Sequence, residues 1–177
     1  MASSSKTTIF VYGTLLRGLE NAHLLTSSKF ITEAVTHHKF YMVSNEENDS
    51  STGYKPNTIE VNEESYRYPC LLENSAGPNH RENLVRGEVY EVDSDTLTRL
   101  DALEDHPVTY QRKNILVMPR SEVETDKTDK TDNITADVYV VVNKEMIADI
   151  VSTIATQGTK YKLINDGDWR KYIAGPI

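Results

Sequence analysis

Cysteine is nearly absent. Cys70 is the only one in 177 residues, which excludes an intramolecular disulfide and a thiolate-built metal cluster. Long apolar runs are missing as well. The longest, Val138–Val142, falls far short of the roughly 20 residues a membrane span requires. The start, Met1–Lys6, has no apolar stretch of the kind a signal peptide needs. A soluble, cytoplasmic protein with no membrane partner is therefore expected. Positive charge is in deficit: 19 Lys and Arg face 27 Asp and Glu, for a net charge of −8. With no basic stripe to neutralise phosphates, no nucleic-acid partner is expected. The chain also lacks a P-loop, a dinucleotide-binding glycine pattern and a serine nucleophile elbow. Its five histidines (His23, His37, His38, His80, His106) stand at no metal-ligand spacing.

What is present fits one well-filled core rather than two. Residues 1–177 read as a single domain. Short runs rich in β-branched and aromatic residues predict strands at Thr8–Tyr12, Phe40–Val43, Tyr68–Leu72, Leu84–Val92, Lys113–Met118 and Ala136–Val142. Leu84–Val92 reads as a central strand, and Pro119 should end the run before it because proline cannot donate to a ladder. One helix is expected from Asp95 to about Asp105, capped by Asp93 or Ser94. A second fits Lys144–Thr156, where Met146, Ile147, Ile150, Val151 and Ile154 recur at helical spacing and Gly158 follows. Many strands with two clear helices argue for a small barrel or curled sheet with peripheral helices. Two polar stretches, Ser44–Ser65 and Ser121–Asp132, cannot bury enough surface to offset their ordering entropy, and are expected as mobile inserts outside the barrel.

Two places could carry chemistry. In the first helix, taking about 100° per residue from Leu97, the positions of Leu100, Leu103 and Glu104 are roughly 300°, 240° and 340°. Glu104 thus shares the inward face with leucines, whereas Asp101 lies at its border and Asp105 points outward. A carboxylate on an apolar face is costly, and its desolvation raises the pKa toward that of a general base at neutral pH. The alternatives are pairing with Arg112 or Arg17, or a helix that ends early and releases Glu104 to solvent. The second place is Tyr12-Gly13-Thr14-Leu15, where a strand breaks into a loop. Gly13 would allow backbone conformations closed to other residues. Consecutive N–H groups would then form a nest for a carboxylate or a developing oxyanion. A simple turn is the other reading. Cys70, beside two leucines, reads as a buried thiol rather than a nucleophile.

Phe10–Gly18, Val85–Val92 with its Gly-Glu-Val-Tyr, Leu100–Glu104 and Tyr110-Gln111-Arg112 occur in this order, followed by Gly167-Asp168-Trp169. In this they resemble the γ-glutamylcyclotransferase-like superfamily. The likeness is greatest to the branch of γ-glutamylamine cyclotransferase and plant avirulence-induced-gene-like proteins. The resemblance implies an α+β fold, a small mixed β-barrel with peripheral helices. It implies Glu104 as catalytic residue, and Tyr12, Gly13, Thr14, Leu15 and Tyr110 as substrate-binding residues. The expected partner is a small-molecule γ-glutamyl substrate, cyclised to 5-oxoproline with release of an amine or amino acid. No metal or organic cofactor is implied, and a monomer or weak oligomer is expected. The rival expectation is a non-catalytic small-molecule-binding protein on the same fold.

Overall fold

The computed structural model describes residues 5–46, 67–73, 83–120 and 133–175. Five strands close a barrel in the order β1 (Thr7–Val11), β5 (Arg86–Val92), β2 (Lys29–Thr36), β6 (Tyr110–Pro119) and β7 (Ile134–Val141). All neighbours are antiparallel except β1 and β7, which meet in parallel at Ile9 and Asp137 and complete the ring. The barrel is therefore mixed, and closure leaves it no free edge. A second sheet sets β3 (Tyr41–Asn45) between β4 (Tyr68–Leu72) and β8 (Tyr161–Leu163). Ile9, Phe10, Val89, Val117, Val138 and Val140 are buried in the core, drawn from strands whose β-branched and aromatic residues suit a pleated, covered surface.

The helices lie around this frame. In α1 (Ser94–Leu103) the Asp93 side chain accepts from the Thr96 N–H at 2.8 Å, so Asp93 is the cap. In α2 (Lys144–Ala155) Asn143 caps through the Met146 N–H, and Ile150 is fully buried. The residue that turns left-handed after α2 is Gln157, at φ 55°, and not Gly158. Gly158 is needed for space instead, since a Cβ there would lie 2.9 Å from Thr153 Cγ2. The short α3 (Trp169–Ala174) is capped by Asp168. No described helix is long and apolar enough to cross a membrane.

Several expected boundaries move: β1 and β7 start earlier and end one residue sooner than expected, and α1 ends at Leu103. Ser44 and Asn45 belong to β3 and are buried, so the first polar insert starts later than its composition implied. Backbone pairing to both β4 and β8 outweighs the polarity of those two side chains. Residues 47–65 of that insert, and all of Ser121–Asp132, lie outside the described residues, whereas Glu46 is described and its N–H bonds the Lys160 carbonyl at 2.8 Å. β6 does end at Pro119 but begins earlier, at Tyr110. β5 starts at Arg86 because Leu84 is exposed and Val85 is held by Thr36, whose Oγ1 accepts the Val85 N–H at 2.9 Å.

Candidate active site

β1 leaves its ladder after Val11, opposite Glu88. Tyr12 then turns its hydroxyl to the Tyr139 carbonyl of β7 at 3.0 Å. The next residues form a turn closed by the Leu16 N–H on the Gly13 carbonyl, at 3.0 Å. Asn21 holds the middle, donating its N–H to the Thr14 carbonyl and its Nδ2 to Thr14 Oγ1, both at 2.9 Å. The N–H groups of Gly13, Thr14 and Leu15 meet no acceptor among the described residues. Tyr12, Thr14 and Leu15 are buried, so these donors are not simply spread in solvent.

Gly13 does not adopt the left-handed backbone expected of it. It is required because the loop crosses Pro69 of β4 so closely that a Cβ would fall 2.6 Å from Pro69 Cγ. The residue after Pro69 is Cys70, whose Sγ accepts a hydrogen bond from the Tyr110 hydroxyl at 3.2 Å. Loop, β4 and the start of β6 are thereby brought together.

Glu104 is the first residue past α1. Its N–H still bonds the Leu100 carbonyl at 3.0 Å, so the helical spacing that placed it beside Leu100 holds. The residue keeps some accessible surface, but its carboxyl group is crowded by protein, and this desolvation pushes its pKa up to about 7. No cation or hydrogen-bond donor offsets the burial among the described residues. The two candidates for pairing are engaged elsewhere. Arg112 Nε lies 3.0 Å from Asp101 and its Nη1 3.4 Å from Asp137. Arg17 contacts Glu88 at 3.0 Å and Glu33 at 3.4 Å.

Among the described residues, four groups feel the charge of Glu104: Tyr12, Cys70, Tyr110 and Tyr139. In each, burial is the main cause of a raised pKa and the nearby carboxylate adds to it; Cys70 is pushed up to about 12, so the thiol is inert. Tyr12 and Tyr110 thus stand with Glu104. Gly13, Thr14 and Leu15 are carried on the segment that follows Tyr12.

Asp101 and Tyr139 had no role in the sequence reading. Asp101 accepts from the Tyr139 hydroxyl at 2.7 Å and ties α1 to β6 and β7. A tyrosine inside the valine-rich β7 run was the available signal. Glu88, buried in β5, was missed too, although a carboxylate between Gly87 and Val89 is the same kind of anomaly that drew notice to Glu104.

The sequence matches the family described as γ-glutamyl cyclotransferase, AIG2-like, over residues 9–171. The chain belongs to that family, and the resemblance read from its motifs is borne out. A Drosophila melanogaster protein provisionally named a γ-glutamylcyclotransferase is 35% identical over 115 residues, 62% of this chain and 59% of its own length. A Danio rerio γ-glutamylaminecyclotransferase A is 35% identical over 112 residues, 60% of this chain and 56% of its own. The chain spans about three-fifths of the length of these curated relatives. Among solved structures, an AIG2-like protein from Mus musculus superposes with a TM-score of 0.52 at 27% identity, covering 77% of this chain and 78% of that one. The barrel is the fold of this family.

Proposed function

We propose that this chain is a γ-glutamyl cyclotransferase that acts on γ-glutamyl amines, with Glu104 as its proton-transferring residue. The observation that carries this reading is the carboxyl of Glu104, unpaired among the described residues, poised near neutral pH and gathered with Tyr12 and Tyr110. The free N–H groups of Gly13–Leu15 would hold the substrate's α-carboxylate, and Tyr110 would line the same pocket. The name of the Danio rerio relative supports an amine over a peptide as leaving group.

The chemistry asks for little more. A γ-glutamyl group carries an α-ammonium that can fold back on its own γ-carbonyl, so attack is intramolecular once the bent conformer is held. Glu104 takes a proton from the ammonium, and the freed amine attacks the γ-carbonyl carbon. The new C–N bond closes a five-membered ring. Glu104 returns the proton to the leaving nitrogen, takes the second proton lost by the ring nitrogen and relays it the same way as the old C–N bond breaks. Two protons leave one nitrogen and two reach the other, giving 5-oxoproline and an ammonium. A pKa near the working pH suits a group that must be base and acid in turn. A pocket for binding alone would leave the desolvation of Glu104 without a purpose.

The test is incubation of the protein with γ-glutamyl-ε-lysine, γ-glutamyl dipeptides and glutathione while 5-oxoproline is measured. Release from the lysine isopeptide above the others is expected. Release from none of them would remove the enzymatic reading.

A further inference from the structure

Under the N–H loop lies a carboxylate that the proposed reaction does not use. Glu88 is 2% exposed, and in the β1–β5 register its backbone stands opposite Val11, where the loop begins. Its side chain reaches the loop's far end. Oε2 accepts the Arg17 backbone N–H at 3.1 Å, and Oε1 accepts Arg17 Nε at 3.0 Å. The Tyr90 hydroxyl donates to Oε2 and Arg170 Nη2 to Oε1, both at 2.9 Å. Arg170 Nη2 also donates to the Arg17 carbonyl at 2.8 Å. A buried carboxylate persists only when paired and hydrogen-bonded, and these donors occupy its lone-pair positions.

One residue of β5 therefore fixes both ends of the segment from Val11 to Arg17, by its main chain at one end and its carboxylate at the other. Arg170 of α3 holds the same far end directly, through the Arg17 carbonyl, and indirectly, through Glu88. An ion pair serving stability alone has no need to bind a loop's backbone N–H and carbonyl at consecutive points. The free donors of Gly13–Leu15 lie between the two anchors.

We infer that Glu88 and Arg170 are positioning residues that set how the Gly13–Leu15 N–H groups are presented to the substrate's carboxylate. This rests on the cyclotransferase reading above. A cleft of about 90 Å³, lined in part by Leu16, Arg86, Glu88 and Arg170, lies beside the clamp, and the Arg170 side chain is 41% exposed. Truncating Arg170 therefore opens no apolar cavity, and the Arg170→Ala variant is expected to fold.

Wild type, Arg170→Ala, Arg170→Lys and Glu88→Gln are compared by steady-state kinetics on γ-glutamyl-ε-lysine. Calorimetric binding of 5-oxoproline, which keeps the α-carboxylate, is measured alongside. Arg170→Ala should raise KM and the 5-oxoproline Kd about tenfold, the size expected for a lost charged hydrogen bond. Its kcat should stay within about twofold of wild type, and the pH midpoint of kcat should not move, because Glu104 sets it. Arg170→Lys should recover most of the affinity, and folded Glu88→Gln should follow Arg170→Ala. Wild-type KM and Kd in Arg170→Ala, or a fall in kcat without a rise in KM, would overturn the clamp and leave the cyclotransferase reading standing. A wild type that neither releases nor binds 5-oxoproline would overturn both.

Discussion

Three acidic side chains follow one another around the end of α1, and only their partners separate them. Asp101 is tied to Tyr139 and Arg112, and Asp105 accepts from the Thr109 hydroxyl at 2.6 Å. Glu104 has neither tie. In the folded chain it holds its proton up to about pH 7, whereas an ordinary glutamate releases it near 4.5. The folded state thus binds that proton more tightly than the unfolded state. The resulting stability is fully present below the lower value and is lost as pH rises to the higher one. Glu104→Gln should therefore stabilise the protein at about pH 8 by about 3 kcal/mol and leave it unchanged near pH 4. Denaturant unfolding of both proteins at the two pH values checks this, and equal stability at the higher pH would mean that Glu104 is not desolvated. The position of Glu104 was legible because it depends only on local helical spacing. The ties of Asp101 were not, because its partners come from strands distant in sequence.

At the scale of elements, the segments that could be read are those whose own residues declare them. β1, β3 to β7, α1 and α2 carry apolar runs or helical periodicity. β2, β8 and α3 do not. The first three residues of β2 are exposed and its register shifts between Phe30 and Thr32, which blurs the alternation. β8 has three residues and α3 has six, too short for a period to show. The loop after β1 was legible as a loop, but the reason for Gly13 was not, since Pro69 reaches it only through the fold. Gly13→Ala should press a methyl group into the Pro69 ring and cost about 1–3 kcal/mol. It should also weaken substrate binding by moving the loop. The urea midpoint together with KM measures both, and wild-type values for both would contradict the close approach.

For the molecule as a whole, barrel closure gives the two sequence motifs a common address. β1 lies between β5 and β7 and delivers Tyr12 to the Tyr139 carbonyl; β6 follows α1 and delivers Tyr110 to Cys70. Neither motif could do the proposed chemistry by itself. Under the proposed function Glu104 moves the protons of the cyclisation, and Glu104→Gln isolates that role by keeping the side chain's shape while removing its basicity. The most direct measurement is 5-oxoproline release from γ-glutamyl-ε-lysine by wild type, Glu104→Gln and Asp105→Asn at matched folded concentration. Turnover should fall roughly 10²- to 10⁴-fold in Glu104→Gln and change little in Asp105→Asn. Near-normal turnover by Glu104→Gln, or an equal loss in Asp105→Asn, would contradict that role.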